Sequence, residues 1–418
     1  MKKTVSLLLL VLVLASSFTV CAAALDSGYE IPYSDNIDWT RFQGSNVTIN
    51  VYNWGEYISI DDGEDFFFDT NAEFEKLTGI KVVYSNFASN EEMYAKLRAG
   101  GTSYDIIIPS DYMISRMINE GMLEKLDFSN IENYRYIRED LKNPEYDPTG
   151  EYSVPYMWGI VGIIYNTTMV DPEDDVETWD ILWDVNYANN IFMFSNSRDT
   201  FGIALKKLGY SFNTVNEDEI LAAAEALKEQ KPLVQAYVMD EIFDKMGGGE
   251  AALAPYYAGD ALTMMEDNPD LAFAVPVEGT NIYVDAMCIP KGSKNKEAAE
   301  LYINYMCETL TALKNCEYTL YSTPHTEAFE YLDDEIKESI SYPSDELIAS
   351  AEAFTSLPDA TTKLYDSLWT DIMSSGNTNP VVVPIFLGIC VAAIVAINVW
   401  KYKKKKKINL EQKGNEDF

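Results

Sequence analysis

Between residues 46 and 109 the polar and apolar positions change period several times. Val47, Ile49 and Val51 alternate with Asn46, Thr48 and Asn50, so Asn46–Tyr52 reads as a strand with one buried face. Thr70–Thr78 reads as a helix, with Asn71 near its start and Gly79 as its stop. Lys81–Tyr84 returns to an extended pattern. Ser89 and Glu92 form a capping box, in which hydroxyl and carboxylate satisfy free amides of a first helical turn. The helix that follows carries Met93 and Leu97 and stops at Gly100-Gly101. Tyr104–Ile108 is an apolar strand closed by Pro109. Strands alternating with helices in this way predict an α/β lobe with a largely parallel sheet.

Further along, Glu151–Trp158 and Ile160–Tyr165 are extended pieces, and Thr178–Val185 is a Trp-rich helix or turn. Asn216–Gln230 is a helix capped by Asn216 and strengthened by its alanines. Leu271–Val275 and Ile282–Ile289 are strands. Asn295–Cys307 is an amphipathic helix with Ala299, Tyr302, Tyr305 and Met306 on its apolar side. Further helices run to about Met373, and no internal repeat is visible. Two lobes are expected, since the body exceeds the size of one ordinary core.

The two ends have a different character. Residues 1–24 open with Lys2 and Lys3, continue through the apolar run Leu7–Val20 and end on Ala22, Ala23 and Ala24, the layout of a secretory signal. Val381–Trp400 carries no charge over a length that spans a bilayer. Pro384 is tolerated in its first turn. Lys401 and Lys403–Lys407 follow at once, the mark of a cytoplasmic flank. The body is therefore expected outside the cell membrane and tied to it by its C-terminus.

Charge sharpens this picture. The 418-residue chain has a formal net charge of −36. Without the nine lysines and three acids of the two ends, 22 basic and 64 acidic residues remain, a net of −42. Such a surface repels nucleic acid and anionic lipid and attracts cations. Apolar residues make up 47% of the chain, which excludes a disordered one. Cys21 falls in the signal, where Val20 fits a lipidation site poorly, and Cys390 in the apolar stretch. Cys288, Cys307 and Cys316 remain, an odd number without CxxC spacing, so no disulfide framework or zinc knuckle is expected; three buried free thiols are the expectation and one bridge the alternative.

Catalytic signatures are missing. One histidine, His325, would have to carry any His-based metal site or serine triad. No GxSxG, HExxH or phosphate-binding Gly–Lys loop occurs, and Gly247–Gly249 is a lone glycine run. Binding chemistry is present instead. Trp54-Gly55-Glu56-Tyr57 follows the first strand, Ser110-Asp111-Tyr112 follows the strand Tyr104–Ile108, and Tyr283-Val284-Asp285 lies in a later strand. Ligands of open α/β sheets bind beyond the carboxyl ends of strands. An aromatic face beside a carboxylate suits an organic ammonium: the face covers methylenes and attracts the cation, and the carboxylate accepts a charge-assisted hydrogen bond.

At these residues the chain resembles the spermidine/putrescine-binding proteins of bacterial ABC importers, the PotD family. The matching stretches are YNWGEY (Tyr52–Tyr57), FEKLTGIKVVYSNFASNEEMYAKL (Phe74–Leu97), YDIIIPSDYMI (Tyr104–Ile114), YSVPYMWG (Tyr152–Gly159), ALKKLGYS (Ala204–Ser211) and YVDAMCIP (Tyr283–Pro290). They run in one consistent order over about Asn46–Met373. The resemblance implies an α/β, two-lobed periplasmic-binding-protein fold of type II with a polyamine clamped between the lobes. It implies ligand contacts at Trp54, Tyr57, Ser110 and Tyr112, and at Asp285 for an ammonium in the middle of the site. Asp199 falls where the family has a Glu for a terminal ammonium, and Asn196 where that end usually has an Asp. Tyr257 and Tyr283 fall on positions that are Trp in the spermidine binder, Tyr321 on a Tyr, and Thr355 on a Gln at the putrescine-like end. Glu56 and Asp111 are added as neighbouring acids, Asp111 as an offset for the charge missing at Asn196.

The expected organisation is a signal peptide (1–24), a leader (25–45), one lobe of 46–154 and 286–345, a second of 155–285 and 346–373, a linker (374–380), a transmembrane helix (381–400) and a basic cytoplasmic tail (401–418). Crossings between lobes are expected near Val154–Gly159, near Asp285–Ile289 and near the C-terminal helices. The expected function is capture of spermidine or putrescine for an ABC permease and its ATPase, by a monomer that needs no cofactor or metal, catalyses nothing and binds no nucleic acid. The rivals are a binding protein of the same fold for a sugar or another organic cation, a surface glycoside hydrolase with two carboxylates at catalytic separation, and an adhesion or scaffold protein.

Overall fold

A computed structural model describes residues 31–60, 68–100 and 103–375. The signal, the apolar stretch Val381–Trp400 and the lysine cluster lie outside them. Among the described residues no helix is long and apolar enough to cross a membrane. The chain divides into two compact units, Met1–Tyr365 and Asp366–Phe418. The described part of the second is essentially the end of the helix Asp359–Ser374.

Nine strands order the first unit: β1 (Thr48–Trp54), β2 (Lys81–Phe87), β3 (Ile106–Ile107), β4 (Ser153–Asn166), β5 (Ile191–Phe194), β6 (Val234–Val238), β7 (Leu253–Tyr257), β8 (Leu271–Ala274) and β9 (Ile282–Cys288). Their pairing describes two halves of the same plan. One runs β2-β1-β3-β9-β4 and the other β6-β5-β7-β4-β8. In each half three parallel strands are followed by two antiparallel pairings. This is the α/β, two-lobed arrangement expected.

β4 belongs to both halves. Ser153–Ile160 pairs with β9, whereas Val161–Asn166 lies between β7 and β8. The sequence reads two strands here, broken at Gly159. The backbone is continuous, and only its partners change, at Ile160–Val161. All but one of its residues are buried, so no polar alternation marks the change of sheet. Gly159 is small because the Tyr283 hydroxyl lies over it, where a Cβ would come within 2.6 Å.

Side-chain alternation fills the core. In the first half Ile49, Val51, Ile106 and Ile108 join the main hydrophobic cluster, while Tyr52 and Ile107 join a second cluster with Met113, Met117 and Cys288. Successive residues of a strand point to opposite faces, so both faces of this sheet are covered.

Local chemistry corrects several boundaries. The helix Thr70–Thr78 is capped by Asp69, which accepts from the Ala72 amide, and Asn71 instead accepts from the Tyr302 hydroxyl. In the helix Asn90–Ala99, Ser89 accepts from the Glu92 amide while Glu92 reaches back to the amide of Ala88, one residue before the cap. Thr178–Val185 is a short 3₁₀ turn over Trp179–Trp183. The three cysteines among the described residues are buried and free. His325 is a helix cap: its Nδ1 accepts from the Ala328 amide and its Nε2 meets the Cys307 carbonyl at 3.0 Å. Burial lowers its pKa to about 4.

Candidate ligand-binding site

Between the two halves lies a cavity with about 670 Å³ of empty space, the solvent at its mouth included. Strand ends and helix starts build it, because that is where side chains emerge from a covered sheet. Trp54 ends β1 and is fixed by its indole N–H, which donates to the Ile108 carbonyl at 2.9 Å. Tyr57 follows in the turn. Ser110 occupies the N-cap position of the helix Asp111–Asn119, where its side chain makes no capping bond. Its amide and hydroxyl are both tied to Asn90, at 3.1 and 3.0 Å.

Asp285 sits at the centre, in β9 opposite Met157. A register shift between Pro155 and Met157 leaves Tyr156 out of the ladder, a bulge that re-aims a side chain. The Tyr156 hydroxyl donates to the Tyr57 carbonyl at 2.6 Å and steadies that turn. The Tyr57 hydroxyl donates to Asp285 Oδ2 at 2.8 Å, and the Ser110 hydroxyl donates to Oδ1 at 2.6 Å. Burial raises the Asp285 pKa to about 6 even though both donors pull it down.

At one end of the cavity the Tyr257 hydroxyl donates to Asp199 at 2.9 Å and the Tyr112 hydroxyl to Glu91 at 2.9 Å. Burial raises both carboxyls above their ordinary range. At the other end lie Asp260, which is buried, and Asp240, which is exposed at the mouth; partial desolvation and then neighbouring acids raise both. The carboxylates act on one another in sequence: Glu91 feels Asp199, Asp285 feels Asp199, and Asp260 feels both Asp285 and Asp240. Asp111 adds a sixth carboxyl, 2% exposed and raised by burial to about 8. Among the described residues none of these six forms an ion pair with Lys or Arg.

Aromatic rings stand between the acids. Tyr57 meets Tyr321 edge-on at 4.6 Å, Tyr257 meets Tyr283 at 5.3 Å, and Tyr283 meets Tyr321 at 6.5 Å between centroids. Gly259 leaves room for Tyr321, whose ring a Cβ there would meet at 2.3 Å. The arrangement is a line of carboxylates walled by tyrosine faces. It can hold a cation with apolar stretches between its charges. No group of three His, Cys, Asp or Glu placed to hold a metal occurs among the described residues.

Of the residues read from sequence, Trp54, Tyr57, Ser110, Asp111, Tyr112, Asn196, Asp199, Tyr257, Tyr283, Asp285 and Tyr321 line this cavity. Asn196 does so with its carbonyl oxygen already engaged, capping a helix through the Asp199 amide at 2.9 Å. Two residues are placed elsewhere. Glu56 is exposed at the turn after β1. Thr355 lines an adjoining groove, with its amide bound to Asn213 and its carbonyl to Arg198; its neighbour Phe354 reaches the cavity instead. Glu91, Asp240 and Asp260 escaped the sequence reading. Asp240 and Asp260 follow β6 and β7, two strands the sequence reading passed over, and recognising those strands would have found them. Glu91 sits in the first turn of a helix, where an acid is ordinary.

The model of one family, the bacterial extracellular solute-binding proteins, matches residues 70–344. The chain belongs to that family. The spermidine/putrescine-binding periplasmic protein of Salmonella typhimurium is 36% identical to this solute-binding protein over 317 residues, 75% of this chain and 88% of the relative. The putrescine-binding periplasmic protein SpuD of Pseudomonas aeruginosa is 29% identical over 347 residues, 79% of this chain and 92% of the relative. Among solved structures, the spermidine/putrescine ABC transporter substrate-binding protein PotD of Streptococcus pneumoniae, in complex with calcium and HEPES, is 38% identical. It superposes with a TM-score of 0.65, covering 78% of this chain and 99% of that one.

Proposed function

We propose that this solute-binding protein captures a linear polyamine, putrescine or spermidine, and hands it to the permease and ATPase of an ABC importer. The observation that carries the reading is the line Glu91–Asp199–Asp285–Asp260–Asp240 among tyrosines: Asp285 and Asp260 are buried, Glu91 and Asp199 half-buried and Asp240 exposed, and among the described residues none of the five forms an ion pair with Lys or Arg. Buried carboxylates that outnumber the cations around them are costly, and an ammonium chain would supply the missing charge while its methylenes cover the rings. The relatives' names point to the same ligands.

Asp285 takes an inner ammonium, and Asp199 with Tyr257 and Glu91 takes a terminal one. Trp54, Tyr283 and Tyr321 flank the chain. The protein binds and releases without chemical change, as a monomer. The lobe ranges set out above belong to this proposal. So do the secretory signal, the extracytoplasmic location and the anchor Val381–Trp400, which would keep the receptor beside its permease and raise its effective concentration. Closure about β4 and β9 makes the form the permease reads.

Isothermal titration of the full chain in detergent, with putrescine and spermidine at low and moderate salt, tests this. One-to-one binding that weakens with salt is expected. Absence of binding to either polyamine, or salt-independent binding of a neutral sugar, overturns it.

A further inference from the structure

Beside the acidic cavity lies one buried cation. Arg198 is 5% exposed, in the first turn of the helix Ser197–Lys207 next to Asp199. One nitrogen, Nη2, donates to Asn213 Oδ1 at 2.8 Å and to the Thr355 carbonyl at 3.2 Å. Nε and Nη1 are buried and make no hydrogen bond among the described residues. Aromatic faces hold the guanidinium instead: it lies 4.5 Å from the Phe354 centroid, 5.7 Å from Tyr112 and 5.8 Å from Tyr365.

Tyr112 links this cation to the site. Its ring lies under Arg198 while its hydroxyl donates to Glu91. The guanidinium charge favours the ionised forms of Glu91, Asp199 and Asp111 together. An arginine whose role was to neutralise one acid would form a bidentate pair with it. Here the charge is shared across one end of the cavity, and no carboxylate of the described residues lies within ion-pair distance.

Resting on the polyamine reading, we infer that Arg198 sets the number of ammonium groups the cavity accepts, as a resident cation at the Glu91–Asp199 end. Asp111, raised by burial to about 8, is largely neutral at pH 7; Glu91 and Asp199 then carry two negative charges, and Arg198 leaves a net of one. That end then suits a single terminal ammonium. A ligand with an additional charge nearby meets the guanidinium field in a medium where water screens poorly. The fixed charge therefore favours a diamine over a triamine relative to the same cavity without it.

The test is the ratio of putrescine to spermidine affinity, measured by titration of the full chain in detergent at constant salt. Arg198→Gln is expected to move the ratio toward spermidine by about tenfold, the effect of one charge at about 10 Å in a weakly screened site. Arg198→Lys restores the charge and should return the ratio to the wild-type value. Glu91→Gln removes an acid from the same end and should move the ratio toward putrescine, so the inference stays testable if Arg198→Gln does not fold. A ratio unchanged in Arg198→Gln and Glu91→Gln, with both affinities reduced alike, would make Arg198 a packing residue and overturn the inference alone. A wild-type protein that binds neither polyamine would remove the polyamine reading as well.

Discussion

Asp285 shows how much one side chain can be asked to do. It is 5% exposed, accepts hydrogen bonds from Tyr57 and Ser110, and has no cationic partner among the described residues. Asp285→Asn keeps the shape and removes the charge. Its polyamine affinity should fall by about a hundredfold or more, as for a buried charge partner removed, with little change in melting temperature; titration checks this. The raised acids also predict a pH dependence of the ligand-free protein. Burial raises Asp285 to about 6 and Asp111 to about 8, so the folded state binds more protons than the unfolded one. Stability is then lost as pH rises through those values. His325, lowered to about 4, acts with the opposite sign between pH 4 and its ordinary 6.5. The window free of His325 is pH 6.5 to 8. There the ligand-free melting temperature should fall by a few degrees as pH rises, at about 2–4 °C per kcal/mol. Saturating putrescine should flatten that slope by supplying the missing cation, and thermal melts with and without it decide the point.

Single elements carry the site into place. β4 threads both halves of the sheet, and Gly159 within it leaves space for Tyr283. Gly159→Ala should displace that ring into the cavity and weaken binding about tenfold, an overpacking cost of about 1–3 kcal/mol; circular dichroism should report an unchanged fold. The same strand shows where sequence patterns stop being informative. Amphipathic elements such as Thr70–Thr78 and Asn216–Gln230 were legible because one face is wet and their caps are local. β4 is buried along nearly its whole length, and a continuously apolar run records neither its partners nor its change of sheet. β5, with its four buried residues, and β7, with Pro255, carry no alternation either. The carboxylates after β6 and β7 were lost with the strands that place them.

Across the whole molecule the two halves meet closely at the cavity. Gly55, after β1, lies against Asp240, after β6, and a Cβ on Gly55 would come within 2.0 Å of Asp240 Oδ2. Gly55 is free of the positive φ that would strain any other residue, so the obstacle to a side chain is this contact alone. Gly55→Val should therefore turn the exposed Asp240 side chain away from the cavity, with weaker polyamine binding by titration and an unchanged radius of gyration in the presence of ligand by small-angle scattering. Wild-type affinity in this variant would remove Asp240 from the site. The sequence by itself determined the α/β class, the first lobe's strands and helices, the acidic charge and the aromatic–acid clusters after strands, because these depend on local periodicity, caps and composition. Tertiary structure alone decided that one strand serves two sheets, that Asn196 caps a helix, that Glu56 and Thr355 stand outside the cavity, and that Glu91, Asp240, Asp260 and Arg198 gather around it. Those outcomes depend on which distant segments share a low-dielectric space, and charge in such a space acts between residues that no spacing along the chain relates.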